Sequence, residues 1–263
     1  MSPYLPSLIA ILQREALRFV RQRERFLAAL VRPLVWLIVF AAGFRAALGL
    51  SIIPPYQTYI TYETYIVPGL CGMVLLFNGM QSSFSLVYDR EMGSMKLLLT
   101  SPLPRWWLLF CKLLGASAIS ILQVYTFLLV AYLYGIQAPP FGYIAALPAL
   151  LVAGLLLGAL GLLISSFVYH LDIFACEMNF FIFPMFFLSS ALYPLWKMAE
   201  SSRLLHDICA LNPFTHAVEL IRFALYAEAN FAALGWTLLA TAVFLGLALW
   251  GYAPVRSGKR HTG

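Results

Sequence analysis

The chain has 263 residues, 62% of them hydrophobic and only 11% charged, with a formal net charge of +6. Soluble proteins carry roughly 45–50% apolar and 25% charged residues, so a water-soluble fold of one or two domains is excluded, because too much apolar surface would stay wet. Nucleic-acid binding, which the basic balance alone would allow, needs the bases gathered on an exposed domain, and no stretch is long and polar enough to form one.

The composition predicts an all-α integral membrane protein. Residues 1–26 read as a cytoplasmic N-terminus with an amphipathic interfacial helix. Leu5, Leu8, Leu12, Ala16 and Phe19 recur at steps of three and four on one face, and Arg14, Arg18, Arg21 and Arg25 recur on another. Such a helix lies flat, its apolar side in the lipid boundary and its arginines towards anionic headgroups. It serves either as a surface anchor or as an elbow that also touches a cytoplasmic partner. The arginines also interrupt the first apolar stretch, so the start does not read as a cleavable signal.

A membrane span needs about 20 apolar residues to cross roughly 30 Å of hydrocarbon. Six candidates follow, at 27–48, 65–87, 107–134, 143–168, 173–195 and 231–252, giving a transmembrane domain over 27–252 and a basic tail at 253–263. The stretch 196–230 is too polar for a seventh span and too apolar for a free loop, so short helices at the interface or dipping partway in are expected there. Lysine and arginine set the orientation. Thirteen of them, including Arg14, Arg32, Arg90, Lys96, Arg105, Lys112 and Arg256, flank one side, against Arg45, Lys197, Arg203 and Arg222 on the other. Both termini are therefore expected in the cytoplasm, which requires an even number of spans.

Polar residues inside a span are costly in lipid and are functional candidates by default. Asn78, Gln81, Ser82 and Ser85 in span two, Gln123 in span three and Asn179 in span five are candidates for a substrate pathway. Hydrogen bonding between helices is the alternative for the same residues. Gly154, Gly158, Gly161 and Ser165 fall on one face of span four, where a second helix can approach closely. Cys71, Cys111, Cys176 and Cys209 are scattered without metal-ligand spacing, and no HExxH or G-x-S-x-G occurs. No metal site is expected. His206-Asp207, His216 and Glu219 are the residues a membrane-embedded enzyme would draw on; capping and hydrogen bonding also account for them.

The connection between spans two and three is the most informative segment. It runs Asp89, Arg90, Glu91, Met92, Gly93, Ser94, Met95 and Lys96, then turns apolar through Leu99 to Pro102 and Pro104. Met92, Met95 and Leu99 share one helical stripe, and the prolines stop the helix. A short cytoplasmic helix with an apolar stripe, bracketed by charges, suits docking into a groove on another protein; a solvated loop resting on the bilayer is the alternative.

The segment DREMGSMKLLLTSPLPRWWLLFCKLLG resembles the loop after the second span in permeases of the type-2 ATP-binding-cassette (ABC-2) exporter family. There an acidic residue precedes Gly-Thr/Ser, a Leu pair and Ser/Thr-Pro. LNPFTHAVELIRFALY resembles the family's Asn-Pro motif with a downstream arginine, here Asn212, Pro213, Glu219 and Arg222. The chain departs from the pattern at Lys96, where the family commonly has an acid. The resemblance implies six spans, a coupling helix over the 89–102 segment and re-entrant helices before span six. It also implies two permeases paired, each docking a separate cytoplasmic ATPase, in the inner cell membrane. No G-x-x-x-x-G-K-[ST] loop is present, so ATP and Mg would be used by that partner and no cofactor by this chain. The expected function is export of a hydrophobic or amphiphilic compound: a lipid-linked glycan, polysaccharide or drug-like molecule. A membrane-embedded enzyme near His206–Glu219 and a non-transporting scaffold are the rival readings.

Overall fold

The computed structural model describes residues 4–21, 23–44, 54–56, 60–91, 104–168 and 170–252. Among them the chain folds into ten helices: α1 (Tyr4–Arg21), α2 (Arg23–Phe44), α3 (Tyr62–Glu91), α4 (Arg105–Leu133), α5 (Pro140–Phe167), α6 (Leu171–Phe187), α7 (Leu195–Ser201), α8 (Arg203–Leu211), α9 (Pro213–Leu225) and α10 (Phe231–Gly251).

Four of these are long and apolar enough to cross a membrane: Tyr62–Tyr88 within α3, Trp106–Leu133 within α4, Pro140–Phe167 and Phe231–Gly251. The expected fifth span is also a helix but with a shorter apolar length. Of the expected first span, residues 27–44 lie in α2, with an apolar run at Leu30–Phe40 among the described residues, and 45–48 lie outside them. α6 has 17 residues and ends at Phe187, about 26 Å at 1.5 Å per residue, where a continuous span to 195 was expected. The stretch after it holds α7, α8 and α9, with 7, 9 and 13 residues, each too short to span.

α3 and α5 form the centre. α4 packs against both, α9 and α10 lie on α5, and α2 and α6 flank α3. α5 is buried on most of its circumference, with Leu150, Ala153, Leu156 and Leu157 fully enclosed. The glycine face read from the sequence lies where the helices come closest. A Cβ on Gly161 would stand 2.6 Å from the carbonyl oxygen of Gly79 and 2.9 Å from Ser83 Oγ, so α3 and α5 meet backbone to backbone. Gly154 faces Ser117 and Gly158 faces Leu113, both on α4. Without a hydrophobic drive between helices in lipid, close packing of this kind is what holds them together.

Hydroxyls buried in α10 turn back on their own helix: Thr237 donates to the carbonyl of Ala233 (2.6 Å) and Thr241 to that of Thr237 (2.7 Å). The helix can then bury polar side chains without leaving a donor unmet. At the other edge, α1 packs along α4. Trp107 donates to Ser7 Oγ at 3.1 Å and its ring meets Tyr4 edge-on at 5.4 Å. Part of the stripe predicted to face lipid, Leu8 and Leu12, is half-buried, and Leu12 lies against Gly115. Leu5, Ile9 and Leu17 remain exposed.

Candidate functional site

Two places concentrate the polar chemistry of the bundle. The first lies after α6. Beyond Phe187 the backbone leaves the helix, and Ser189, Ser190, Ala191 and Leu192 are buried in a turn. Non-helical backbone away from water must have its groups met by the protein itself, and here side chains from α3, from α9 and from the residue that caps α9 do so. Asn212 Nδ2 donates to the carbonyls of Met185 (2.8 Å) and Leu188 (2.6 Å), while its Oδ1 accepts the N–H of Phe214 at 3.0 Å. One side chain thus closes the C-terminus of α6 and caps the N-terminus of α9, with Pro213 at the first helical position, where it loses no hydrogen bond.

The carbonyl of Ser190 accepts from Tyr65 Oη and from Arg222 Nη2, both at 2.9 Å, and that of Leu192 accepts from Tyr62 Oη at 3.0 Å. Thr215 Oγ1 accepts the N–H of Ser190 (3.3 Å) and donates to the carbonyl of Cys209 (2.7 Å). The turn also rests directly on Gly69 of α3, with the backbone of Ala191 against it.

Arg222 is the charged centre of this assembly. It is 2% exposed, ion-paired with Glu219 one turn earlier on α9, and its guanidinium lies 4.1 Å from the centroid of the Tyr65 ring. A buried cation of this kind needs both a counter-charge and hydrogen bonds, and it has both. Tyr56, from the segment before α3, packs edge-on to Tyr226 at 4.6 Å. Burial pushes its phenol well above the ordinary range, so it stays neutral. Isosteric Asn212→Asp keeps the cap on Phe214 but replaces two donated bonds by an oxygen facing two carbonyls. It is expected to lower stability by about 1–3 kcal/mol, the range for an unmet buried polar group, read as a lower thermal midpoint in detergent.

The second place is the C-terminal end of α3. Asp89 and Arg90 occupy its last turn, and Glu91 Oε2 accepts the backbone N–H of Leu171, the first residue of α6, at 3.1 Å. His170, the residue ahead of that helix, contributes no side-chain cap, so the carboxylate from α3 fills the role. Nearby, Lys112 of α4 donates to Ser85 Oγ of α3. The other coupling candidates, Met92, Gly93, Ser94, Met95, Lys96, Leu99 and Pro102, lie outside the described residues.

The six pathway candidates make separate hydrogen bonds and differ in exposure. Asn78 donates to Gln123 across the α3–α4 contact. Ser82 turns back on Gly79 (2.8 Å), and Ser85 on Ser82 (3.0 Å). Only Gln81 and Asn179 are exposed, Asn179 donating at 3.3 Å to the carbonyl of Ala175 on its own helix. The residues of the enzyme reading also go to separate partners. His206 meets Asp207 at 3.0 Å, His216 stacks on Trp236 at 5.5 Å, and Glu219 holds Arg222. Among the described residues, no three His, Cys, Asp or Glu side chains come together.

Tyr62, Tyr65, Ser190 and Thr215 were not singled out from the sequence. The tyrosines at the start of a span carried the available signal, since aromatics with a polar tip gather at membrane boundaries.

A helical bundle with four helices long and apolar enough to cross a membrane is the build of a multi-pass membrane protein, and comparison with known proteins gives its family. The ABC-2 type transporter family model matches residues 6–226. The chain is 30% identical to the putative transport permease ycf38 of Cyanophora paradoxa, over 86% of its own length and 76% of that protein's. It is 27% identical to the probable multidrug ABC transporter permease YbhR of Escherichia coli K12, over 64% of its length and 45% of that protein's. Nodulation protein J of Rhizobium leguminosarum is 31% identical over shorter shares, 34% of this chain and 35% of that one. The chain belongs to the ABC-2 type transporter family and is a membrane permease.

Proposed function

We propose that this permease is the membrane subunit of an ATP-driven exporter that moves a hydrophobic or amphiphilic compound out of the cytoplasm. A separate ATPase subunit, carrying the ATP and Mg, docks on the segment 89–102. α2, α3, α4, α5, α6 and α10 make six passes, with both termini cytoplasmic in the inner membrane. Residues 1–26 lie at the inner interface, 253–263 form a basic tail, and α7 to α9 re-enter from the outer side. Two copies pair around the route. A route lined with uncharged polar groups suits an amphiphile of this kind better than a small ion.

The observation that carries the coupling reading is the bond from Glu91 to α6. Closure of the ATPase pushes on the segment that begins at the end of α3. Because the last residue of α3 also holds the first N–H of α6, the push reaches both helices as one rigid-body movement. Co-purification tests this: a phosphate-loop ATPase is expected to come down with tagged wild type and to be lost from Glu91→Ala/Met95→Asp. If no such ATPase accompanies the wild type, the exporter reading fails and the scaffold reading takes its place.

A further inference from the structure

Arg32 lies on α2, and its guanidinium carbon sits 3.8 Å above the centroid of the Phe77 ring on α3. Phe77 is fifteen residues from Tyr62 and eleven from Tyr88, the ends of the apolar stretch of α3. At 1.5 Å per residue these are roughly 22 Å and 16 Å, so the charge stands well inside that stretch. The sequence placed Arg32 among the cations of the inner boundary. A snorkelling arginine would run its stem out to the headgroups; this one is held over a ring partway along that stretch.

Arg32 is exposed, and among the described residues it has neither an ion pair nor a hydrogen bond. Arg222 differs on every count, being buried and paired with Glu219. The neighbours of Arg32 divide sharply: Leu30 and Leu37 are buried, whereas Val31, Val35, Ile38 and Val39 are exposed. Gln81, also exposed, lies four residues beyond Phe77 on the same face of α3.

A ring beneath a guanidinium occupies one face of the plane and leaves the N–H edge free. That edge matches a planar or tetrahedral oxyanion, which it grips with two parallel bonds. We infer that Arg32, seated on Phe77 with Gln81 one turn further along α3, is an intramembrane site for the phosphate or carboxylate head of an amphiphile. That the amphiphile is cargo rests on the exporter reading; the binding does not, since it needs no ATPase.

Full-length protein in phosphatidylcholine nanodiscs is titrated with doxyl-labelled stearyl phosphate and, separately, with doxyl-labelled stearyl alcohol. The readout is quenching of Trp36, one turn from Arg32 on α2, isolated as the difference between wild type and Trp36→Phe. The phosphate probe is expected to quench at about tenfold lower concentration than the alcohol, the scale of a charge-assisted pair. Arg32→Gln is expected to abolish that advantage and Arg32→Lys to keep part of it. Phe77→Leu, which preserves apolar bulk and removes the ring, is expected to reduce it and serves if Arg32→Gln does not fold. Equal quenching by the two probes, or an advantage untouched in Arg32→Gln, overturns the site. With phosphatidylglycerol added to the discs, loss of the advantage identifies bulk anionic lipid as the occupant, and its persistence identifies a cargo head; either supports the site.

Discussion

Arg222→Ala is expected to destabilise the folded protein by about 3–5 kcal/mol, the usual result of removing one partner from a buried ion pair. The loss has three parts. Glu219 is left as an uncompensated, largely buried carboxylate, the carbonyl of Ser190 loses one of its two donors, and the ring of Tyr65 loses the cation resting on it. For a chain of this size each kcal/mol moves the thermal midpoint by about 2–4 °C, so a fall of roughly 10 °C is expected. Reaction of the thiols with a fluorogenic maleimide follows it well, because Cys71 and Cys209 are fully buried and Cys176 is exposed. Arg222→Met/Glu219→Leu removes both charges and is expected to recover most of the loss. If the single variant unfolds no earlier than wild type, the pair does not hold the turn.

Gly69→Val is the second large effect. The added Cβ would stand 2.8 Å from Cα of Ala191 and 2.9 Å from its carbonyl carbon. Both are backbone atoms of a buried turn, so neither neighbour can rotate away. Overpacking of this sort costs about 1–3 kcal/mol, and it shifts the segment on which Tyr62, Tyr65, Thr215 and Arg222 converge. The expected result is early exposure of Cys71 and Cys209 with a poor yield of folded protein. Gly235→Val in α10, where nothing lies within 4 Å of the added carbon, is the matched control and is expected to unfold near the wild-type temperature. Similar midpoints for the two variants would remove the close contact from the account.

Features with a strict local period were the legible ones. The glycine face of α5 could be read because residues spaced by three and four must share a side of a helix. The start of α9 came through the family resemblance at Asn212-Pro213, and the structure supplies its local reason, a capping Asn followed by Pro at the first helical position. The end of α6 could not be read. From Phe180 to Leu192 the sequence is almost wholly apolar, and nothing local separates a buried turn from a continuing helix when the groups satisfying that turn lie up to 130 residues away. The polar residues of span two show the same limit. Asn78 and Gln81 are alike as isolated side chains, yet one is engaged with Gln123 and the other faces outward. Which of them packs and which stays open depends on the neighbour each helix meets, and no spacing within one helix records that.

α6 has two unlike sides. Phe174, Ile182 and Phe186 are buried, whereas Cys176, Asn179, Phe180 and Phe183 are exposed. Its ends are fixed from outside the helix, by Glu91 at one and Asn212 at the other. Residues on the open side therefore carry little of the folding constraint, and substitutions there can accumulate while the bundle stays intact. Divergence among such chains should gather along that strip rather than on the face that meets the bundle.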